Sequence, residues 1–401
     1  MPDNLIDRRN FMKATVGGIG GFFLLGSHEE KAEAKETDNK VIQRTLGRTG
    51  IKVSVVSMGM VGAGTSALVR ATLDAGITYI DTAHGYHRGQ SEELVGEVVK
   101  GRSRDSYVVS TKVGINPPGV NLITGLYTAE ATEEACLKNV DISLKRLGLD
   151  YVDILYHHKP WRRESALYEP ILQALEKVKK NGKARFVGVS YHRNEVEVTQ
   201  AAIDSKIYDV IMVPYNFRQK HFLAVREAIA KASQAGLGVV AMKVMGGIAA
   251  QDPLKPFNAS AALKWVLQDS NVHTTVPGFS TFDEMNIDLS VMRDLALTDS
   301  EKEFLKTASA SPGLYCQGCG QCVKQCVAKL PIPDLMRAYM YTYGYRKPAV
   351  AQDLVVSLGL PRHVCEDCGT CPVQCSVGFD VPGKIKDVAR LRHVPPEFIP
   401  V

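Results

Sequence analysis

Val152-Asp153-Ile154-Leu155-Tyr156-His157 is a short apolar run, preceded by an amphipathic stretch, Glu130–Leu147, and followed by His158-Lys159-Pro160. Its length and composition predict a buried strand, and the periodicity before it predicts a helix. The same unit recurs on both sides. Strand-like segments at Val53–Gly59, Tyr79–Asp81, Tyr107–Thr111, Ala184–Ser190, Val210–Val213, Gly238–Met242 and Thr274–Pro277 each lead into a helical pattern such as Phe222–Ala235. Eight β-then-α units in about 245 residues predict an α/β fold, a (β/α)8 TIM barrel of parallel strands, over residues 41–297. A doubly wound sheet would need G-x-G-x-x-G after its first strand. Gly59-Met60-Val61-Gly62-Ala63-Gly64 is rich in glycine but lacks that spacing.

Working outward, the 401 residues hold 48 Lys+Arg against 43 Asp+Glu, a net charge of +5. That excess is too dilute to imply nucleic acid without a cluster, and the sequence shows no cluster. Before the barrel, Arg8-Arg9-Asn10-Phe11-Met12-Lys13 precedes an apolar run, Ala14 to Gly26, and then Ala32-Glu33-Ala34. A basic start, a short apolar stretch and an A-x-A ending predict an export signal over residues 1–34, and the run is shorter than the about 20 residues that cross a bilayer. The arginine pair resembles a twin-arginine signal, which implies a periplasmic or envelope location reached already folded, with no membrane span in the mature chain.

After the barrel the chemistry changes. Nine cysteines are present, and eight of them follow residue 315. Cys316-x2-Cys319-x2-Cys322-x3-Cys326 recurs as Cys365-x2-Cys368-x2-Cys371-x3-Cys375, with Gly318, Gly320 and Gly369 allowing tight turns. This is the bacterial ferredoxin run, which predicts two [4Fe-4S] clusters in a small ferredoxin-like domain over residues 298–401. In proteins of that type the fourth cysteine serves the opposite cluster. That implies Cys375 with Cys316, Cys319 and Cys322, and Cys326 with Cys365, Cys368 and Cys371. Val327 and Ser376 stand where Pro usually follows the fourth cysteine. Zinc would leave the third and fourth cysteines of each run unexplained, and disulfides form poorly between such close neighbours. Tyr339, Tyr341, Tyr343 and Tyr345 are read as packing cover rather than an electron path.

Barrel chemistry belongs at the C-terminal ends of strands. Asp81 ends the second predicted strand with Tyr86 in the loop beyond, Lys112 ends the third, and His157-His158 end the fourth. A tyrosine hydroxyl, with a pKa near about 10, donates a proton readily only if a cation steadies the phenolate. Lys112 can supply that charge, Asp81 can hold Lys112, and a histidine can meet a carbonyl oxygen. The set suits protonation of oxygen as hydride reaches carbon.

These residues, with Arg44-Thr45-Leu46-Gly47-Arg48-Thr49-Gly50, Asp81-Thr82-Ala83, Ser110-Thr111-Lys112, Asp150-Tyr151-Val152-Asp153, Gly188-Val189-Ser190 and Pro277-Gly278, closely resemble the aldo-keto reductase family. The resemblance implies a catalytic tetrad of Asp81, Tyr86, Lys112 and His158, with Pro160 selecting His158 over His157. It also implies a nicotinamide cofactor, NADP(H) or NAD(H), across the barrel mouth. Ser190 is kept at the family's carboxamide position, while Tyr191, Met212 and Met242 replace its Asn, Gln and stacking aromatic. Beyond Gly278, Ser280 stands where many members carry the Arg that meets a 2′-phosphate, and Lys243 lies within plausible reach of the nicotinamide or pyrophosphate. The whole pattern resembles aldo-keto reductases that carry a C-terminal ferredoxin module. The expected function is an oxidoreductase interconverting a carbonyl and an alcohol on a small molecule, with an envelope electron-transfer partner as a further expectation. Two other readings stand beside it: a redox-neutral enzyme with captive nucleotide, and an electron-transfer protein using the barrel as scaffold.

Overall fold

The structure, a computed structural model, describes residues 41–399 apart from 63–64, 123, 247–256, 311–312, 314 and 367. The predicted export signal lies outside the described residues. Among the described residues no helix is long and apolar enough to cross a membrane.

Strands β1 (Gln43–Thr45) and β2 (Lys52–Ser54) form an antiparallel hairpin. The barrel strands are β3 (Met58–Gly59), β4 (Tyr79–Asp81), β5 (Val108–Val113), β6 (Val152–His158), β7 (Ala184–Ser190), β8 (Val210–Pro214), β9 (Gly238–Met242) and β10 (Thr274–Thr275). They are parallel and lie side by side in chain order. The ring closes through Ser57 N to Thr275 O (2.8 Å), Thr275 N to Val55 O (3.0 Å) and Gly59 N to Pro277 O (2.8 Å). Helices α1 (Ser66–Asp74), α2 (Gln90–Val99), α3 (Glu133–Leu147), α4 (Arg163–Ala166), α5 (Glu169–Lys180), α6 (Glu195–Ser205), α7 (Phe222–Gln234), α8 (Ala259–Leu267) and α9 (Phe282–Val291) follow the strands. Helix α5 shows why they pack: Ile171, Ala174, Leu175 and Val178 recur every three to four residues and are buried, while Lys177, Lys179 and Lys180 crowd its last turn, where the helix dipole favours cations.

The predicted strand Val53–Gly59 divides. Val53 belongs to β2, and only Met58–Gly59 joins the barrel. A hairpin arm and a barrel strand share the same two-residue alternation, so pattern alone does not separate them. Leu46, Ile51 and Val53 join Tyr79, Ile154, Tyr156 and Met212 in one buried cluster, so the hairpin plugs the lower end of the barrel. Two glycines make that packing possible. A Cβ on Gly47 would sit 2.4 Å from Gly238 N at a left-handed φ of 51°, and one on Gly188 would sit 2.6 Å from the Tyr156 ring.

Helix α10 (Asp299–Ala310) packs on the barrel, through Leu305 and Ala308 against Ala261 and Ala262 and through Lys264 Nζ to Glu301 at 3.1 Å. Residues 299–310, expected to open the C-terminal domain, thus pack against the barrel. The rest of the C-terminal region is a helical module, α11 (Ile332–Tyr339), a π-helical turn (Met340–Gly344), α12 (Pro348–Ser357) and α13 (Val381–Ala389). Its own core includes Leu335, Ala351, Val355 and Ile385.

Candidate functional site

The parallel register sets the site. Asp81 pairs with Ser110, and His158 pairs with Ser190, which pairs in turn with Met212. With side chains alternating in and out, Asp81, Lys112, His158 and Ser190 all point into the barrel at its C-terminal end. Lys112 Nζ donates to Asp81 Oδ2 at 2.5 Å and to Thr82 O at 2.7 Å, and Ser110 Oγ donates to Asp81 Oδ1 at 2.6 Å. Burial pushes the Asp81 carboxyl up and the Lys112 amine down, and each opposes the shift of the other. Tyr86 stands on the turn after β4 with its ring 4.9 Å from Lys112 Nζ and 6.2 Å from the His158 ring, edge to face. The four residues of the expected tetrad therefore converge.

One detail departs from expectation. Lys112 lies over the Tyr86 ring and gives its charge to Asp81. The cation that lowers the Tyr86 hydroxyl is Arg337 of the C-terminal module. Burial dominates, with Asp81 and Tyr341 adding to it, and the hydroxyl sits well above the ordinary tyrosine value. Tyr86 is thus held as the protonated acid.

The two histidines separate as the spacing implied. His157 points outward, bonded through Nε2 to the Tyr127 hydroxyl (2.6 Å) and through Nδ1 to that of Tyr208 (2.9 Å), and burial lowers it to about 3. His158 points inward, and burial, then Lys159 and Lys112, carry it well below the usual histidine value, so the imidazole is neutral. Its Nε2 is buried without a hydrogen-bond partner, as is Ser190 Oγ. Buried polar atoms ordinarily find partners, so two orphans in one mouth mark where a ligand would complete the bonding.

The nucleotide residues divide into two groups. Ser190, Met212 and Met242 face the mouth, an unpartnered hydroxyl beside two buried thioethers. At the other end, Glu284 Oε2 accepts from Ser280 N (2.7 Å), Ser280 Oγ (3.2 Å) and Thr281 N (3.2 Å), so a protein carboxylate fills the donors at the start of α9. Gly278 is exposed beside them. Lys243 Nζ donates to Tyr341 Oη at 3.0 Å, which makes Tyr341 part of the mouth rather than mere packing cover.

The C-terminal module roofs this mouth. Lys347 Nζ reaches Gly62 O (2.7 Å), Arg88 pairs with Asp353 (2.8 Å), and Gln317 Nε2 donates to Gly246 O (2.8 Å). Arg193, buried and lowered to about 10 by desolvation against the pull of Asp334, forms a short ion pair with Asp334, which also binds Arg337 at 3.1 Å. Sequence reasoning missed Arg193, Asp334, Arg337 and Tyr341. No spacing signal links the module to a barrel loop more than a hundred residues away.

Among the described residues no disulfide joins the eight module cysteines. Burial raises Cys322 to about 12, helped by Cys316, Cys319 and Cys375, and raises Cys365 to about 11, helped by Cys326, Cys371 and Cys368. The neighbours of each set come from both runs. Ser376 Oγ lies 3.6 Å from Cys319 Sγ, and Gln374 N donates to Gln325 Oε1 at 2.7 Å, which draws the runs together. Cys326, Cys365, Cys368 and Cys371 line a cavity of about 360 Å³. Among the described residues no three His, Cys, Asp or Glu side chains converge closely enough to hold a single metal ion.

Comparison with known proteins agrees with this geometry. The chain is 32% identical to D-threo-aldose 1-dehydrogenase of Pseudomonas sp over 47% of its length and 62% of that protein. It is 34% identical to L-galactose dehydrogenase of Arabidopsis thaliana over 38% of its length and 49% of that protein. It thus spans about half the length of the curated relatives it matches. A holo-form aldo-keto reductase of Bacillus halodurans shares the fold, at 23% identity and a TM-score of 0.54 over 69% of this chain and 98% of that one. The profile of the Aldo/keto reductase family matches residues 60–260, and by that match together with the strand-end constellation the chain belongs to the aldo/keto reductase family.

Proposed function

We propose that this protein is an NAD(P)-dependent oxidoreductase that interconverts a carbonyl and an alcohol at the barrel mouth, coupled to two [4Fe-4S] clusters in its C-terminal module. The observation that carries the barrel chemistry is the convergence of protonated Tyr86, the Lys112–Asp81 pair and the unpartnered Nε2 of neutral His158. A bound nicotinamide would supply or accept the hydride. Ser190 would hold its carboxamide, and Met212 and Met242 would give the ring an apolar face. Tyr86 delivers the hydroxyl proton to the carbonyl oxygen as it becomes an alkoxide, and takes it back in the reverse direction. His158, in the tautomer with the proton on Nε2, orients that oxygen by donating to it. Asp81 holds Lys112 against the Tyr86 ring, and Arg337 is the cation that steadies the phenolate left behind.

The mixed cysteine sets support swapped ligation, with Cys316, Cys319, Cys322 and Cys375 holding one cluster and Cys326, Cys365, Cys368 and Cys371 the other. The ferredoxin spacing supports electron exchange with an envelope partner, and the N-terminal motif supports folded export. With Glu284 occupying the donors at Ser280 and Thr281, a 2′-phosphate would meet a carboxylate there, which favours NAD(H) over NADP(H).

Tyr86→Phe tests the barrel chemistry. It is expected to lower kcat by about 100-fold or more while leaving the melting transition and iron content unchanged. Turnover within a factor of a few of wild type would refute the assignment. Iron and acid-labile sulfide in anaerobically purified protein test the clusters, and fractionation of cells for the mature chain tests export.

A further inference from the structure

Beyond the tetrad, the mouth holds further cations, of which Arg337 alone acts on Tyr86. Lys159, directly after His158, is accessible and enters none of the ion pairs among the described residues. Its backbone is left-handed, φ 66°, a conformation that costs a non-glycine residue energy and persists only where the surroundings impose it. The charges acting on Lys159 and His192 come from barrel and roof together: Arg337, Lys243 and, on His192, Lys159, with Asp334 the one carboxylate among the described residues that acts on Lys159. That carboxylate is already shared between Arg193 and Arg337. Burial alone would raise the Tyr341 hydroxyl, yet Lys243, Arg337 and Lys159 bring it below the ordinary value, a sign of how far cations prevail here. A cluster of cations with one shared carboxylate favours the entry of a counter-charge.

Position tells which ligand supplies it. In the eight-strand ring β6 and β10 are four strands apart whichever way the ring is followed, so Lys159 and the start of α9 lie on opposite sides of the mouth. The far end of a nucleotide laid over Gly278 and Ser280 points away from Lys159. His158 and His192, whose rings are 6.5 Å apart, place Lys159 and Arg337 on the substrate side instead.

We propose that Lys159, with Arg337 and His192, binds an anionic substituent of the substrate, a carboxylate or a phosphate, so that this enzyme acts on small anionic hydroxy or oxo compounds. The proposal deepens the carbonyl–alcohol reading and rests on it for the identity of the reacting group. A charge-assisted contact of this kind gives an anion about a 10- to 100-fold advantage over its neutral counterpart.

Isothermal titration of the iron-replete full chain tests it without turnover. The probes are galacturonate against galactose and glyceraldehyde 3-phosphate against glyceraldehyde, in wild type, Lys159→Gln and Lys159→Arg. At least one anion is expected to bind 10-fold or more tighter than its neutral partner, with the preference collapsing in Lys159→Gln and returning in Lys159→Arg. A preference confined to galacturonate assigns a carboxylate, and one confined to glyceraldehyde 3-phosphate assigns a phosphate. Equal binding of each pair, binding of neither anion, a preference that survives Lys159→Gln, or competition of the anion with NAD+ would overturn the proposal. Tyr86→Phe keeps the two readings apart. If it retains turnover while the Lys159 effect stands, the catalytic assignment falls and the anion site remains.

Discussion

The barrel mouth and the cysteine module hold reactive groups by opposite means. At the mouth each group stands on a strand end, and Asp81, Lys112 and Ser190 are at most 3% exposed in a lattice of backbone bonds that needs no ligand to form. In the module the cysteines sit on loops and single turns between short helices, and their thiols are raised by burial and by one another. The barrel is organised before it binds anything, whereas the module gathers groups that oppose each other until something positive joins them. Where that holds, metal binding is also folding energy.

The largest expected effect breaks the two regions apart. Iron removal by a chelator under reducing conditions is expected to melt the module and leave the barrel's far-ultraviolet dichroism largely intact, seen as proteolytic release of residues beyond Ala310. Cys375→Ser sharpens the test by halving bound iron and sparing the set around Cys365. Loss of both clusters together, or of neither, would count against the crossed assignment.

A smaller effect concerns the seam. Asp334 lies between Arg193 and Arg337, and all three side chains are nearly buried. Asp334→Asn removes the one carboxylate there and leaves two guanidiniums facing each other beside Lys159, at a cost of about 3 kcal/mol. Calorimetry is expected to show the module's transition moving to lower temperature and separating from that of the barrel. A single unshifted transition would mean that other seam bonds, such as Gln317 to Gly246, carry the docking.

These regions also differ in how far the sequence discloses them. Ala184–Ser190 and Gly238–Met242 are strands with the bounds that the pattern predicts, because a buried parallel strand is a continuous apolar run ended by turn residues. The meeting of Asp81, Lys112 and His158 at one mouth was legible for the same reason, each standing at a strand end, with Tyr86 on the turn that follows β4. The roof was not. Tyr341 reads as one of four alternating tyrosines, and only the π-helical turn and the docking of α11 bring its hydroxyl to Lys243. Arg337 is one charged residue on an amphipathic helix, and no local rule says that its exposed-looking face meets a barrel. Glu284 likewise reads as an ordinary capping-box residue, which it is, and its occupation of the donors at Ser280 follows from the cap itself.

The smallest effect separates barrel from module by pH. His157 is wholly buried between Tyr127 and Tyr208, and burial holds it at about 3. An unfolded chain takes up a proton at this residue below pH about 6.5, and the folded barrel refuses it until about 3. The unfolded state therefore binds more protons throughout that window, so stability is full above about 6.5 and falls as the pH drops. Between pH 7.5 and pH 5 the loss from this one group is about 2 kcal/mol. His363 and His393 of the module are exposed. Urea denaturation of wild type and His157→Gln at the two pH values is the measurement: glutamine can still meet both tyrosine hydroxyls but takes up no proton, so the variant's barrel transition should lose about 2 kcal/mol less on acidification. An identical loss in both proteins would move the acid sensitivity to His158 and His192, whose values burial lowers in the same direction.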